Sequence, residues 1–299
     1  MASRSLLAYQ AGSAVGRALP WPVARAAADY GAVVGALASP ARRLVVERNL
    51  RRVRPGIRGA DLRRAVLATF RSYARYWAES FRLPSRTPAE LDAAMSVEGF
   101  EHITAALDSG SGAILALPHL GFWEWAGFWL ARVKAVPVSV VVEPLDPPDV
   151  FDWFTSFRRS LGMEVIPLGP SAGTQVVRAL KANHVVCLLC DRDLAGGGVE
   201  VDFFGERTTL PAGPATLSLR TGAALLPTAV YDWSGRHHGV VRPPLALPAR
   251  GRLRDDVATL TQRLALELEG LIRAAPEQWH LMQPNWPSDR AAVAALARR

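Results

Sequence analysis

The hydrophobic positions change rhythm once along the chain, near residue 95. Before that point they recur at helical intervals. In "DLRRAVLATFRSYARYWAESFRLP" the residues Val66, Phe70, Tyr73 and Trp77 make one stripe with arginines between them. "LVVERNLRRVRP" has the same texture. From residue 97 the pattern becomes short apolar runs separated by amphipathic stretches. "GAILALP" (112–118), "PVSVVVE" (137–143), "EVIPLG" (164–169), "HVVCLLCD" (184–191) and "ALLPTAVYDW" (224–233) predict strands. "HGVVRPPLAL" (238–247) carries prolines and is expected at a sheet edge. Helices are expected at 122–134, 147–162, 173–183, 212–222 and 255–275.

Strand–helix alternation with nearly continuous apolar strands predicts an α/β fold, a mainly parallel central sheet flanked by helices on both faces. Pro84, Pro88 and the change of composition near residue 90 divide a basic helical region, 1–95, from an α/β core, 96–299, within one compact domain. The N-terminal stripe has two readings. It is either a helix face packed on the core or a basic amphipathic face on anionic lipid, with arginine stems snorkelling and aromatics at the interface.

Charge bears on that choice. The 299 residues carry a net charge of +8, which points to an anionic partner. Residues 1–90 hold sixteen arginines and five acids, so the excess is concentrated there and the remainder is slightly acidic. A zinc finger, a homeodomain-like pattern and RRM aromatics are all missing, and the charge lies beside apolar stripes. A lipid headgroup surface therefore suits the chain better than nucleic acid. Neither a secretory leader nor an apolar run of the ~20 residues needed to span a bilayer is evident. The expected location is peripheral, at the cytoplasmic face of the plasma membrane.

Cys187 and Cys190 form a CxxC inside an apolar strand, where residues three apart point to opposite faces. No second CxxC or histidine pair accompanies them, so they read as small core residues and no metal site is expected. The stronger chemical signal is positional. Ligands of open α/β sheets gather outside the carboxyl ends of the strands. His119 follows the first predicted core strand, Glu143 ends the second, and Asp191 ends the fourth. Imidazole takes a proton near neutral pH, and a carboxylate beside it fixes its tautomer. There is no GxSxG elbow, and "PLGPSAGT" lacks the lysine of a P-loop. These features favour attack by a substrate hydroxyl activated by histidine, with no covalent enzyme intermediate.

"PHLGFWEWAG" resembles the H-x4-D/E motif of glycerolipid-type and lipid A-type acyltransferases. "YARYWAESFRLP", "FRRSLGMEVIPL", "LLCDRDLAGGGVEVDFFGE", "LPAGPATLSLRTGAALLP" and "WHLMQPNW" are similar to the phosphatidylinositol mannoside acyltransferases of mycobacteria and related actinobacteria. The resemblance spans essentially the whole chain. The H-x4-E element alone is only moderately specific; its combination in order with "DRDL…GVEVDFFGE…PAGPA" carries the likeness.

What the resemblance implies is an acyl transfer from acyl-CoA, such as palmitoyl-CoA, to a sugar hydroxyl of a mannosylated phosphatidylinositol. No tightly bound cofactor is expected. His119 matches the catalytic base and Asp191 the acid that pairs with it. Glu124 takes the second acidic position of the motif. Arg158 matches the arginine that meets this acid and the polar acceptor, with Arg159 as the neighbouring alternative. Glu143 borders the sugar site, and Arg192 and Asp193 of the DRD run join it in substrate binding. The family fold has a deep apolar channel and a cationic amphipathic N-terminal surface. Phe122, Trp123, Trp125 and Trp129 are expected to line the channel. An acceptor such as a lysophospholipid or a lipid A-like disaccharide would leave the histidine chemistry unchanged. A lipid-binding module without activity is the remaining alternative.

Overall fold

Four helices lead the chain in the computed structural model, which describes residues 3–194, 196–233, 235–248 and 251–298. They are α1 (Arg4–Ala18), α2 (Trp21–Ala38), α3 (Pro40–Val53) and α4 (Gly59–Ser80). Thr87 and Glu90 then exchange side-chain and backbone hydrogen bonds in a capping box that starts α5 (Pro88–Ala93). The core follows as β1 (Met95–Glu98), α6 (Phe100–Asp108), β2 (Ala113–Leu117), α7 (Trp123–Arg132), β3 (Val138–Val142), α8 (Pro148–Ser160) and β4 (Met163–Pro167). Next come α9 (Ala172–Lys181), β5 (Val185–Leu189) and a hairpin of β6 (Val199–Phe203) and β7 (Glu206–Leu210). The chain continues through α10 (Gly213–Thr221), β8 (Ala224–Trp233), β9 (Arg236–Val241), α11 (Leu253–Ala274) and α12 (Pro287–Ala297).

Seven strands form the central sheet in the order β1-β9-β8-β2-β5-β3-β4, parallel except for the β8–β9 pair. The α/β reading of the sequence therefore holds. Alternation along each strand serves two cores. Ile114, Ala116, Val186 and Leu188 face α9, α10 and α11. Leu115, Leu117, Val140 and Val185 face α6 and α7.

The expected edge position of residues 238–247 is overturned. β9 stops at Val241, before the prolines, and lies between β8 and β1. The edge on that side is β1, whose four residues are too short to announce themselves by periodicity. The β6–β7 hairpin was likewise not foreseen.

Strand order also positions the site. From β3 the chain moves outward to β4, whereas from β5 it leaves towards β6, β7 and β8. β3 and β5 pair over Val138–Val140 and Val185–Cys187 only, and part beyond that point. Connections leaving neighbouring strands in opposite directions open a crevice at their carboxyl ends, as expected for a topological switch point.

The N-terminal helices pack onto this core. Leu6 of α1 meets Val150 and Phe154 of α8. Ala32, Ala36, Val46, Leu50, Leu62, Val66 and Phe70 knit α2, α3 and α4 together over Met282. Arg48 and Arg52 of α3 grip the fully buried Asp289, and Arg52 stacks 3.9 Å above the ring of Trp286. The Val66–Trp77 stripe is thus an inward face. No helix among the described residues is long and apolar enough to cross a membrane.

After β2 the chain turns at "PHLG". Gly121 has φ +63, and a Cβ there would lie 1.7 Å from the carbonyl oxygen of Val230. Both the left-handed backbone and the close approach demand glycine. Gly121→Ala is expected to destabilise the fold by about 3 kcal/mol, read as a lower urea midpoint at unchanged slope.

Candidate active site

The site begins with strand register. Leu117 at the end of β2 pairs with Leu189 at the end of β5. The Cys190 amide donates to the Leu117 carbonyl at 2.8 Å, extending the ladder. Two residues beyond each strand, His119 and Asp191 therefore stand side by side. The His119 amide donates to Asp191 Oδ2 at 3.0 Å, and Nδ1 lies 2.6 Å from Oδ1. Trp279 Nε1 donates to Oδ2 at 2.7 Å, while Asn285 Nδ2 donates to the Asp191 carbonyl at 3.1 Å.

The Asp191 side chain is 0% exposed, whereas that of His119 is 29% exposed. Burial alone would raise the Asp191 pKa. The neighbouring His119 imidazole and the hydrogen bonds from His119 and Trp279 outweigh burial and hold it below the usual aspartate value. An ionised Asp191 places the imidazole proton on Nδ1 and leaves Nε2 as the basic nitrogen.

Glu124, in the first turn of α7, is buried and faces Arg158 of α8. Arg158 Nε and Nη2 both donate to Oε1, at 2.9 and 2.5 Å. Burial opposes the Arg158 charge, and Glu124 overcomes it, raising the guanidinium pKa. Glu124 Oε2 has no hydrogen-bond partner among the described residues. The fully buried Tyr76 phenol beside it is pushed well up, by burial first and by the Glu124 charge second. The arginine alternative resolves: Arg158 turns inward, and Arg159 is exposed.

At the crevice between β3 and β5, Arg192 Nη2 donates to Glu143 Oε2 at 2.9 Å. Asp193 accepts from the amides of Gly196 and Gly198 and from Thr209 Oγ1, at 3.0, 2.8 and 2.9 Å. Those bonds give it a part in shaping the glycine-rich loop, although it also borders the cavity.

His119, Glu124, Arg158, Tyr76, Glu143, Arg192 and Asp193 border a cavity of about 530 Å³, whereas Asp191 and Arg159 do not. Its wall is mostly apolar and includes Tyr73, Tyr76 and Trp77 of α4, Leu115, Leu117, Val140 and Leu189 of the sheet, and Trp123 and Trp129 of α7. Phe122 and Trp125 depart from the expectation. They lie outside the lining, with ring centroids 5.0 and 4.3 Å from the buried His237. Phe122 precedes the helix, and within it Trp123, Ala126, Gly127 and Leu130 share the cavity face. Trp125, two residues from Trp123, lies on the far side of the helix, and Trp129 reaches the cavity from the margin between them.

The CxxC is divided by the sheet. Cys187 borders the cavity, its thiol pushed up to about 12 by burial and then by the Glu124 charge. Cys190 packs in the opposite core.

Sequence reasoning missed the contribution of "WHLMQPNW". Besides Trp279 and Asn285, it supplies His280, whose amide donates to the His119 carbonyl at 2.6 Å. The His280 ring is 2.9 Å from Ser72 Oγ, packs against Tyr73 and Tyr76, and borders the cavity. Burial first, then the neighbouring His119 imidazole, lowers its pKa to about 3. A cluster of polar residues set among aromatics outside any periodic segment was the available signal.

With this geometry established, comparison with known proteins defines the class. Residues 4–288 match the family described as bacterial lipid A biosynthesis acyltransferase, and the chain belongs to it. It is similar to the phosphatidylinositol mannoside acyltransferase of Mycobacterium tuberculosis (strain CDC 1551 / Oshkosh), with 42% identity over 287 residues. That match covers 94% of this chain and 88% of the relative. A second relative of that name, from Mycolicibacterium smegmatis, is 41% identical over 95% of this chain and 91% of its own length. Family and relatives support an O-acyltransferase activity.

His280 makes a pH-dependent contribution whose sign is set by its lowered pKa. Neutral imidazole is native down to about 3, whereas the unfolded chain protonates below 6.5. The stability held above pH 6.5 is therefore lost as pH falls towards 3. Between about pH 6.5 and about pH 5.5 this residue should cost the fold about 1 kcal/mol, with about 1.4 kcal/mol per further unit. Urea unfolding of wild type and His280→Gln across that range is expected to show the slope difference.

Proposed function

We propose that the protein transfers a long acyl chain from an acyl-CoA thioester to a sugar hydroxyl of a phosphatidylinositol mannoside. The observation that carries this reading is an imidazole Nδ1 held 2.6 Å from a fully buried carboxylate at the border of an apolar cavity. The names of the relatives support the acceptor class.

His119 Nε2 takes the proton of the acceptor hydroxyl as that oxygen bonds to the thioester carbonyl carbon. The Nδ1 proton stays on its bond to Asp191, which stabilises the imidazolium. The tetrahedral adduct then collapses and breaks the C–S bond. The imidazolium returns its proton to the departing thiolate, leaving an ester and free CoA thiol. The thioester is already a good electrophile, so positioning and deprotonation supply most of the required help. Glu124, anchored by Arg158, offers its unshared Oε2 to a donor on the acceptor, and Glu143 and Arg192 border the same polar end.

The acceptor is a lipid, and the surface supports contact with an anionic membrane. On α2, Val23, Tyr30, Val34 and Leu37 lie along one stripe and are 48–74% exposed, in the most arginine-rich third of the chain. Peripheral attachment to the cytoplasmic face of the plasma membrane follows from this reading.

Free-thiol release and ester formation should be followed with palmitoyl-CoA and either mannosylated phosphatidylinositol or lysophosphatidic acid. His119→Ala is expected to lower transfer about 10²–10⁴-fold with an unchanged circular dichroism spectrum. Asp191→Asn is expected to fall by about 10²-fold or more, because an amide favours the wrong imidazole tautomer. Wild-type rates in His119→Ala would sink the mechanism, and exclusive use of lysophosphatidic acid would sink the mannoside acceptor. Leu37→Glu combined with Tyr30→Glu is expected to weaken sedimentation with anionic vesicles while leaving the thermal midpoint within a few degrees.

A further inference from the structure

Glycine in the middle of a helix needs a reason, because it is the poorest helix former after proline. Gly127 stands inside the α7 helix with an ordinary helical backbone, and a Cβ on it would sit 3.0 Å from Met163 Sδ. Both residues border the cavity. The missing side chain leaves room for the thioether against the helix.

Register places Met163 on the deepest rung of the sheet that lines the cavity. Met163 pairs with Val138, Val138 with Val185, and Val185 with Ala113, forming one rung across four strands. On that rung Met163 lines the cavity and Ala113, Val138 and Val185 do not. The next lining rung towards the active site contains Leu115, Val140 and Cys187. Ala113 precedes His119 by six residues, about 20 Å of extended chain, so the floor lies deep below the base. A second glycine–methionine contact, Gly239 with Met95 at 3.0 Å, also borders the cavity. Gly239 pairs with Val230, which bridges to Gly121, so this contact stands level with the His119 loop.

We infer that Met163, seated on Gly127, is the stop that sets the length of acyl chain the protein accepts. The inference rests on the cavity's being the acyl site proposed above. A flexible, polarizable methionine suits this position because it meets the terminal methyl group of a chain without a fixed shape of its own. Its travel is limited on one side by α7, and Gly127 determines how far it withdraws from the lumen.

The direction of change follows from the contacts. Met163→Ala lowers the floor and should move the preferred chain longer by about two methylenes, with relative kcat/KM changing roughly fourfold per methylene. Gly127→Ala pushes the thioether into the lumen and should move the preference shorter; it also favours the helix, so it retains a folded protein if Met163→Ala does not. Two readouts are needed on the full chain. One is transfer from acyl-CoAs running from decanoyl to octadecanoyl. The other, free of turnover, is displacement of a fluorescent fatty acid by fatty acids of the same lengths.

Opposite shifts in the two variants establish the stop, and a shift in Gly127→Ala alone suffices if Met163→Ala does not fold. Profiles that stay put in folded variants, or move the same way, overturn it while leaving acyl transfer standing. Graded fatty-acid binding that shifts as expected, with no transfer from any acyl-CoA, keeps the stop and sinks the acyl-transfer reading. A wild type that binds no fatty acid of any length overturns the stop.

Discussion

A carboxylate shut away from water has to be compensated on every side, and the compensation of Asp191 organises the molecule. Its two oxygens receive a ring nitrogen, a backbone amide and an indole N–H, drawn from the end of one strand and from a segment 88 residues further on. Removing any one donor would leave part of a buried charge unmatched, which costs more than the hydrogen bond itself contributes. The strand ends, the "PHLG" turn and the 279–286 segment are thereby held in mutual register. The same compensation that makes the charge tolerable also sets the imidazole in the orientation that proton transfer needs.

The cavity has an equally simple origin. Seven strands in this order place β3 and β5 side by side but send their continuations apart, and the sheet opens where they diverge. Side chains from α4, α7 and both strands then cover the opening. Polar groups gather at the strand ends because only there does the backbone leave the sheet. Apolar ones line the depth because they are the inward halves of alternating strands and helix faces. One arrangement therefore provides both a place for proton chemistry and a dry groove beside it.

Much of this was legible in the chain, for reasons that differ by element. The apolar strands and the placement of His119, Glu143 and Asp191 at their ends followed from periodicity and the general behaviour of parallel sheets. The inward turn of Arg158 did not, since the sequence spaces helical residues by angle without stating where the angle starts. Trp123 and Trp125 differ in fate for the same reason. β1 is shorter than the window over which alternation becomes visible. The alternation Val199, Val201, Phe203 was visible in the chain, but it belongs to a hairpin outside the main sheet. Trp279, Asn285 and His280 were hidden because their partners lie far away in sequence, and only the folded chain brings them together.

That distance bears on how the site comes into being. His119, Asp191 and Trp279 are separated by 72 and 88 residues, so one long loop brings base and acid together and a second must close before Trp279 braces the acid. Translation proceeds from the N-terminus, and the sheet strands β2 to β5 emerge well before Trp279 and Asn285. A chain still short of those residues has its base and its acid but lacks the groups that hold the acid in place. The chemistry therefore arrives last, as a property of the finished molecule.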